Sequence, residues 1–354
     1  MKTVGIMSMQ RIRNYGSFLQ AYSLKKIIES LGYKVEFIDY KYEQSLVDDK
    51  KNIVEKIIKN HNIIEFCKKS KQKRLFAQKY DKEYLPKLGI SNNRNYGSNI
   101  DTLVIGSDEV FNCLQPYPVG FSRNLFGKGF EDKKVISYAG CFGHTTYEDI
   151  KKYNIEDELK KMFDMFSSIS VRDTNSKKIV KKLTGKNADV HLDPVLIYDG
   201  NKTYKKPNIS NYILVYAYPG RISKKEGKQI KEFAKKHNKR ILCIGSYQRI
   251  ADEILTVSPF ELLSYFKYAD FVITDTFHGS IFSVKTHTNF CTIIRQTNKN
   301  KLEDLLIRLR QDGRIIETIE QIENKYHEKI DFSETDKILK KEKDRTINYL
   351  KNSL

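Results

Sequence analysis

The sequence lacks any run of about 18 apolar residues, so no segment reads as a transmembrane helix. Cysteine is sparse: Cys67, Cys113, Cys141, Cys243 and Cys291 are scattered, with no CxxC pair. An odd, dispersed set implies reduced, mostly buried thiols in a cytoplasmic protein and argues against a structural zinc site. The start, MKTVGIM, runs straight into a strand-like segment, so no secretory leader is expected. There is no GxGxxG fingerprint, which removes the usual dinucleotide-binding turn. No RNA-recognition signature, zinc finger or arginine-rich arm is present, and nucleic acid is not an expected partner. No internal repeat is evident.

What the chain has is length and positive charge. Its 354 residues suggest two domains of roughly 100–200 residues each. An apolar content of 40% is ample for packed cores. The net charge is +19, from 63 Lys and Arg against 44 Asp and Glu. Such an excess favours anionic partners: phosphorylated substrates, a membrane surface or nucleic acid, the last of which has no motif here. The excess is mostly lysine in dispersed KK and KxxK pairs, a pattern that general composition also produces.

The chain is organised around ADFVITDTFHGS at 269–280. Phe271 to Thr274 is a short β-branched run, the pattern of a buried strand. Gly279 and Ser280 then open an apolar helical segment. Asp275 and His278 are thus held where a strand meets a helix N-terminus, whose unpaired N–H groups and positive dipole suit an anion. A capping role for Asp275 and a loop position for His278 are the plainer alternatives.

In chain order, the spacing predicts a strand at Thr3–Met7, a helix from Ser17 to Leu31 and a strand at Val35–Tyr40. The first turn carries Asn14, Tyr15, Gly16 and Ser17; Ser17 suits either an N-cap or a phosphate or hydroxyl contact. Residues 42–95 read as a lysine-rich, helical excursion that covers the cleft or the sheet edge, with His61 on its surface. Strands follow at Thr102–Ile105, Lys133–Ala139, Ser168–Val171 and Asp189–Leu192, with a helix at 174–185. Asp108 and Arg172 stand at strand ends, where ligands gather in such sheets. Asp108 suits a base or an N-cap. Arg172 suits a carboxylate or phosphate through its fork, or a salt bridge with a nearby acid. The polar stretch Asp199–Ser210 reads as the interdomain linker. A second α/β series runs from Tyr212 to Arg310, and a long charged helix follows at about 333–352. The expected domains are 1–200, 201–330 and the C-terminal helix 331–354.

Taken together, the motifs resemble the polysaccharide pyruvyl transferase family. They are NYGSFLQAYSLKKIIESLGY at 14–33, LVIGSDEVFN at 103–112, ISYAGCFG at 136–143 and SVRDTNSKKIVKKLTG at 170–185. LDPVL at 192–196, YADFVITDTFHGSIFS at 268–283 and NKLEDLL at 300–306 complete the set. The resemblance implies an α/β fold of two Rossmann-like domains facing a central cleft, similar to the glycosyltransferase B architecture. It implies a transferase of polysaccharide biosynthesis that takes phosphoenolpyruvate and builds a pyruvate ketal across two sugar hydroxyls, releasing phosphate, with no cofactor or metal. By resemblance, Arg172 holds the donor's carboxylate or phosphate, His278 is general acid or phosphate partner, and Asp108 orients or deprotonates the acceptor. Thr276, Phe277, Gly279 and Ser280 complete the donor site. Asn14, Tyr15, Gly16 and Ser17 line the acceptor wall, with Tyr15 and Phe111 stacking on the sugar.

One departure stands out. Better-described relatives carry Arg-Leu before the corresponding histidine, and that arginine binds the donor; here the positions are Thr276 and Phe277. Arg295 is the first candidate to replace the cation, ahead of Arg11, Arg13 and Lys285. His144, His191 and His287 read as structural. Two other classes remain: a nucleotide-sugar glycosyltransferase of the same architecture, and a non-catalytic sugar-binding protein. The first lacks a clear acidic ribose motif, and the second has no need of Asp108, Arg172 and His278 together. The basic charge suggests a lipid-linked acceptor at the cytoplasmic membrane face.

Overall fold

The computed structural model describes residues 1–47, 63–97, 99–200, 203–296 and 298–354. Among them, the strands form two all-parallel sheets. The first contains β1 (Thr3–Met7), β2 (Lys34–Phe37), β3 (Thr102–Asp108), β4 (Lys134–Gly140), β5 (Phe166–Ser168), β6 (Ser170–Val171) and β7 (Asp189–Val190). Its order is β2-β1-β3-β4-β6-β7, with β5 also paired to β4. The second contains β8 (Tyr212–Tyr216), β9 (Arg240–Ile244), β10 (Glu253–Leu255), β11 (Phe271–Thr274), β12 (Phe290–Ile293) and β13 (Ile315–Ile316), ordered β10-β9-β8-β11-β12-β13.

Central strands such as β3, β8 and β11 are buried along their whole length, because helices cover both faces of each sheet. That is why they read as unbroken apolar runs rather than alternating ones. One hydrophobic cluster, from Val4 to Leu354, is shared by both sheets; a second lies within residues 7–188 and a third within 213–322. The chain order reverses between β1 and β3 in the first sheet and between β8 and β11 in the second. These are the switch points beyond whose carboxyl ends such sheets bind ligands. Both sets of strand ends face the same cleft.

Segments that cross between the halves help tie them together. From the excursion, helix Ile63–Lys79 and the turn after it reach the second half: Gln72 Nε2 donates to Thr256 Oγ1 at 2.6 Å and Tyr84 OH to the Val257 carbonyl at 2.7 Å. His61 lies outside the described residues. The C-terminal helix Ser333–Ser353 returns to the first sheet, where Tyr349 OH donates to the Ser137 carbonyl at 2.7 Å. No described helix is long and apolar enough to cross a membrane. The short strands β10 and β13 lie outside the sequence reading.

Candidate active site

The organising stretch folds as strand, turn and helix, but the helix starts earlier than its glycine suggests. It spans Phe277–Thr286, and Thr276 is its N-cap, accepting the Gly279 N–H at 2.9 Å. Asp275 therefore does not cap. It is fully buried, accepts the Tyr218 N–H at 3.1 Å, and lies 3.7 Å from Arg221. Burial pushes its carboxyl upward, opposed by that hydrogen bond and by Arg221 and Arg295. His278 occupies the first helical turn rather than a loop. Its ring crosses to the other half and rests on Gly16, where a Cβ would lie 2.3 Å from Nδ1. Only glycine admits that approach.

The first sheet supplies the opposing groups. Asn14 caps helix Tyr15–Ser30 by accepting the Gly16 N–H at 2.7 Å. Ser17 is thereby released from capping and donates to Asp108 Oδ2 at 2.9 Å. Asp108 closes β3 with a φ of 84°, a left-handed conformation that costs a side-chain-bearing residue energy and recurs at functional sites. Arg172, just past β6, is buried, and its Nη1 lies 3.2 Å from Asp193 and 3.5 Å from Asp108. The guanidinium stacks on Phe277 of the other half, 4.2 Å from the ring centre.

Asp193 is the centre of this arrangement. It caps helix Pro194–Ile197 through Oδ1, while Oδ2 meets Arg172 and lies 3.5 Å from His278 Nε2. That last contact is long for a hydrogen bond, and among the described residues Nε2 has no hydrogen-bond partner. Burial alone would raise the Asp193 carboxyl, but His278 and Arg172 hold it below the usual range. Asp193 lies in the LDPVL motif, yet the Asp-Pro pair reads locally as a turn, so the sequence reading gave it no role. Lys301 and Glu109 were also missed. They pair across the cleft at 2.7 Å; burial opposes the Glu109 charge, but Lys301 and Arg172 hold its carboxyl at about 2.

Several expected site residues lie elsewhere. Phe111 is not a sugar platform: it is fully buried among Phe126, Phe142 and Phe163. Ser280 is also fully buried, with its hydroxyl 2.8 Å from that of Thr292. The Gly279 and Ser280 N–H groups are already taken by the Thr276 side chain and carbonyl, so they do not await a phosphate. Tyr15 lines the cleft, but its hydroxyl donates to the Val257 carbonyl at 2.7 Å, tying the two halves together. Arg295 is held by Glu226 at 2.7 Å, so it is not a lone cation open to the donor. Arg11 pairs with Asp39, Arg13 with Asp81, and Lys285 donates to the Tyr198 carbonyl.

Beside His278 and Thr276 opens a cavity of about 1050 Å³. Its walls are Asn14, Tyr15 and Phe76 on one side and Tyr216, Tyr218 and Tyr247 on the other, with Lys69 and Lys73 at its rim. The three histidines read as structural each have a partner away from the cleft's catalytic groups. His191 is buried against Ser170 and Tyr349, His287 pairs with Asp336, and His144 lies 3.4 Å from Asn112.

Two doubly wound sheets sharing a cleft between their carboxyl edges define a glycosyltransferase B-like fold. The chain belongs to the polysaccharide pyruvyl transferase family, whose sequence profile matches residues 14–297. Solved structures agree on the fold. UDP-GlcNAc 2-epimerase of Methanocaldococcus jannaschii, in complex with UDP-GlcNAc and UDP, superposes with a TM-score of 0.54 at 12% identity, covering 99% of this chain and 100% of the epimerase. The glycotransferase of kitacinnamycin gives 0.51 at 9% identity, covering 100% and 98%. No curated protein matches the chain. The family makes this protein a transferase with a glycan acceptor.

Proposed function

We propose that the protein transfers the pyruvyl group of phosphoenolpyruvate to two hydroxyls of a polysaccharide sugar or its lipid-linked precursor. The observation that carries this reading is the convergence of Arg172 and His278 on one buried oxygen of Asp193, at 3.2 and 3.5 Å, with Asp108 3.5 Å from Arg172. A cation, a proton carrier and a carboxylate are what the reaction needs. Arg172 binds the donor's carboxylate or phosphate. His278 protonates the methylene carbon, giving an oxocarbenium-like centre. Asp108, steadied by Ser17, orients or deprotonates the first attacking hydroxyl. Phosphate leaves, and the second hydroxyl closes the ketal. The donor is already activated, so this reading requires no cofactor. Lys301 is ion-paired with Glu109 just as Arg295 is with Glu226, but Lys301 and Arg172 act on the same carboxylate, so Lys301 is our candidate for the positive charge absent at Thr276, exchanging Glu109 for the donor.

The test is phosphate release from phosphoenolpyruvate against a panel of free and lipid-linked glycans. Release that depends on both substrates supports the reading; a silent panel, with turnover of a nucleotide sugar instead, replaces it with glycosyl transfer. The cavity beside the second sheet's switch point keeps that alternative concrete, since such sheets bind nucleotides there.

A further inference from the structure

On the opposite side of the second sheet, three side chains with metal-binding chemistry meet. His237 ends helix Lys224–Lys236, while Glu323 and His327 stand one turn apart on helix Ile322–His327. The Nε2 atoms of His237 and His327 lie 3.0 and 3.2 Å from the same Glu323 oxygen, Oε1. Two ligand atoms each ~2.0–2.1 Å from a tetrahedral ion stand roughly 3.3 Å apart, so these spacings suit a shared cation. All three donor atoms lie within 4.8 Å of one another. The His237 ring is fixed by packing, 4.8 Å from the Phe233 ring and 4.6 Å from that of Tyr326. Lys236 contacts the same Oε1 at 2.8 Å, but its side chain is 64% exposed and free to swing into water when a dication takes its place.

We propose that His237, Glu323 and His327 form a binding site for a divalent transition-metal ion, zinc foremost, with water completing the coordination. Two imidazoles and one carboxylate select zinc and its neighbours over calcium or magnesium, which prefer oxygen. The scattered cysteines argue only against a thiolate site and do not bear on this one. His237 precedes β9 and therefore lies at the amino end of the sheet, away from the catalytic cleft. A bound ion clamps helix Lys224–Lys236 to the segment that leads into the returning helix Ser333–Ser353. Its role is structural.

The test is calorimetric titration of untagged protein with zinc at near-neutral pH, in a Cys67→Ser background that removes the exposed thiol. Thermal melts and the visible spectrum of the cobalt(II)-loaded protein accompany it. We expect one equivalent bound, a raised melting midpoint and four-coordinate cobalt bands. His327→Gln, at an exposed position, should weaken binding by at least the roughly 10–100-fold that even outer-shell changes cost. Lys236→Ala should tighten it by removing the competing charge. Zinc affinity unchanged by His327→Gln, or no zinc-dependent shift in the melt, overturns the proposal.

Discussion

The close approach of His278 to Gly16 fixes the ring of the proposed proton donor, and two variants test its role. His278→Gln keeps size and a hydrogen-bond donor but cannot deliver a proton. A general acid contributes roughly 10²–10⁴-fold, so kcat should fall by that order with a modest change in donor KM. A loss confined to KM makes His278 a binding residue only. Gly16→Ala tests the same ring from the other half of the molecule. Ala in a helix is ordinarily about 1 kcal/mol better than Gly. Here its Cβ would lie 2.3 Å from His278 Nδ1, so the ring must move. The expected variant is folded, with a thermal midpoint near wild type and a kcat drop approaching that of His278→Gln. Wild-type turnover in Gly16→Ala means that the ring position is not used in the reaction.

Among the elements, the returning helix Ser333–Ser353 couples the site's foundations to pH. His191, just beyond β7, is buried against its Tyr349, with ring centres 4.8 Å apart. Burial first, then the nearby charge of Arg345, lowers its pKa from 6.5 to about 4. The fold therefore holds His191 neutral while the unfolded chain takes up a proton. Its contribution to stability is complete above about 6.5 and is lost as pH falls from there towards 4, by about 3 kcal/mol in all. Denaturant titrations across that window should show this slope, and His191→Asn should flatten it. An identical slope in the variant would assign the acid sensitivity to other groups. The buried β-branched runs and the helical spacing made most elements legible in the sequence. Short, partly exposed β10 and two-residue β13 gave no pattern to read. At the site, Asp108, Arg172 and His278 were legible because each follows a strand end or sits in a strand–helix turn. Asp193 and the Lys301–Glu109 pair were not, because their meaning comes from contacts between residues far apart in the chain. Phe111 misled for the converse reason: an aromatic beside a carboxylate looks like a sugar platform, but local sequence does not reveal which face a core covers.

For the whole molecule, the excess of 19 positive charges bears on where the acceptor is met. Each lysine near an anionic surface contributes about 1 kcal/mol, so even a loose basic face could hold the protein on a membrane carrying lipid-linked glycans. Sedimentation with anionic liposomes should show binding at low salt that is released at high salt; no binding at low salt removes the membrane from the account. The two sheets meet in one shared core, and the groups proposed for catalysis come from both, so activity requires the intact pair. The central claim is pyruvyl transfer from phosphoenolpyruvate, and carbon-labelled donor tests it most directly. Incubated with a competent glycan, the protein should move the labelled three-carbon unit onto the sugar as a ketal, with one phosphate released per label transferred. Label that stays with the donor, or leaves as free pyruvate at the same rate with and without glycan, would contradict it.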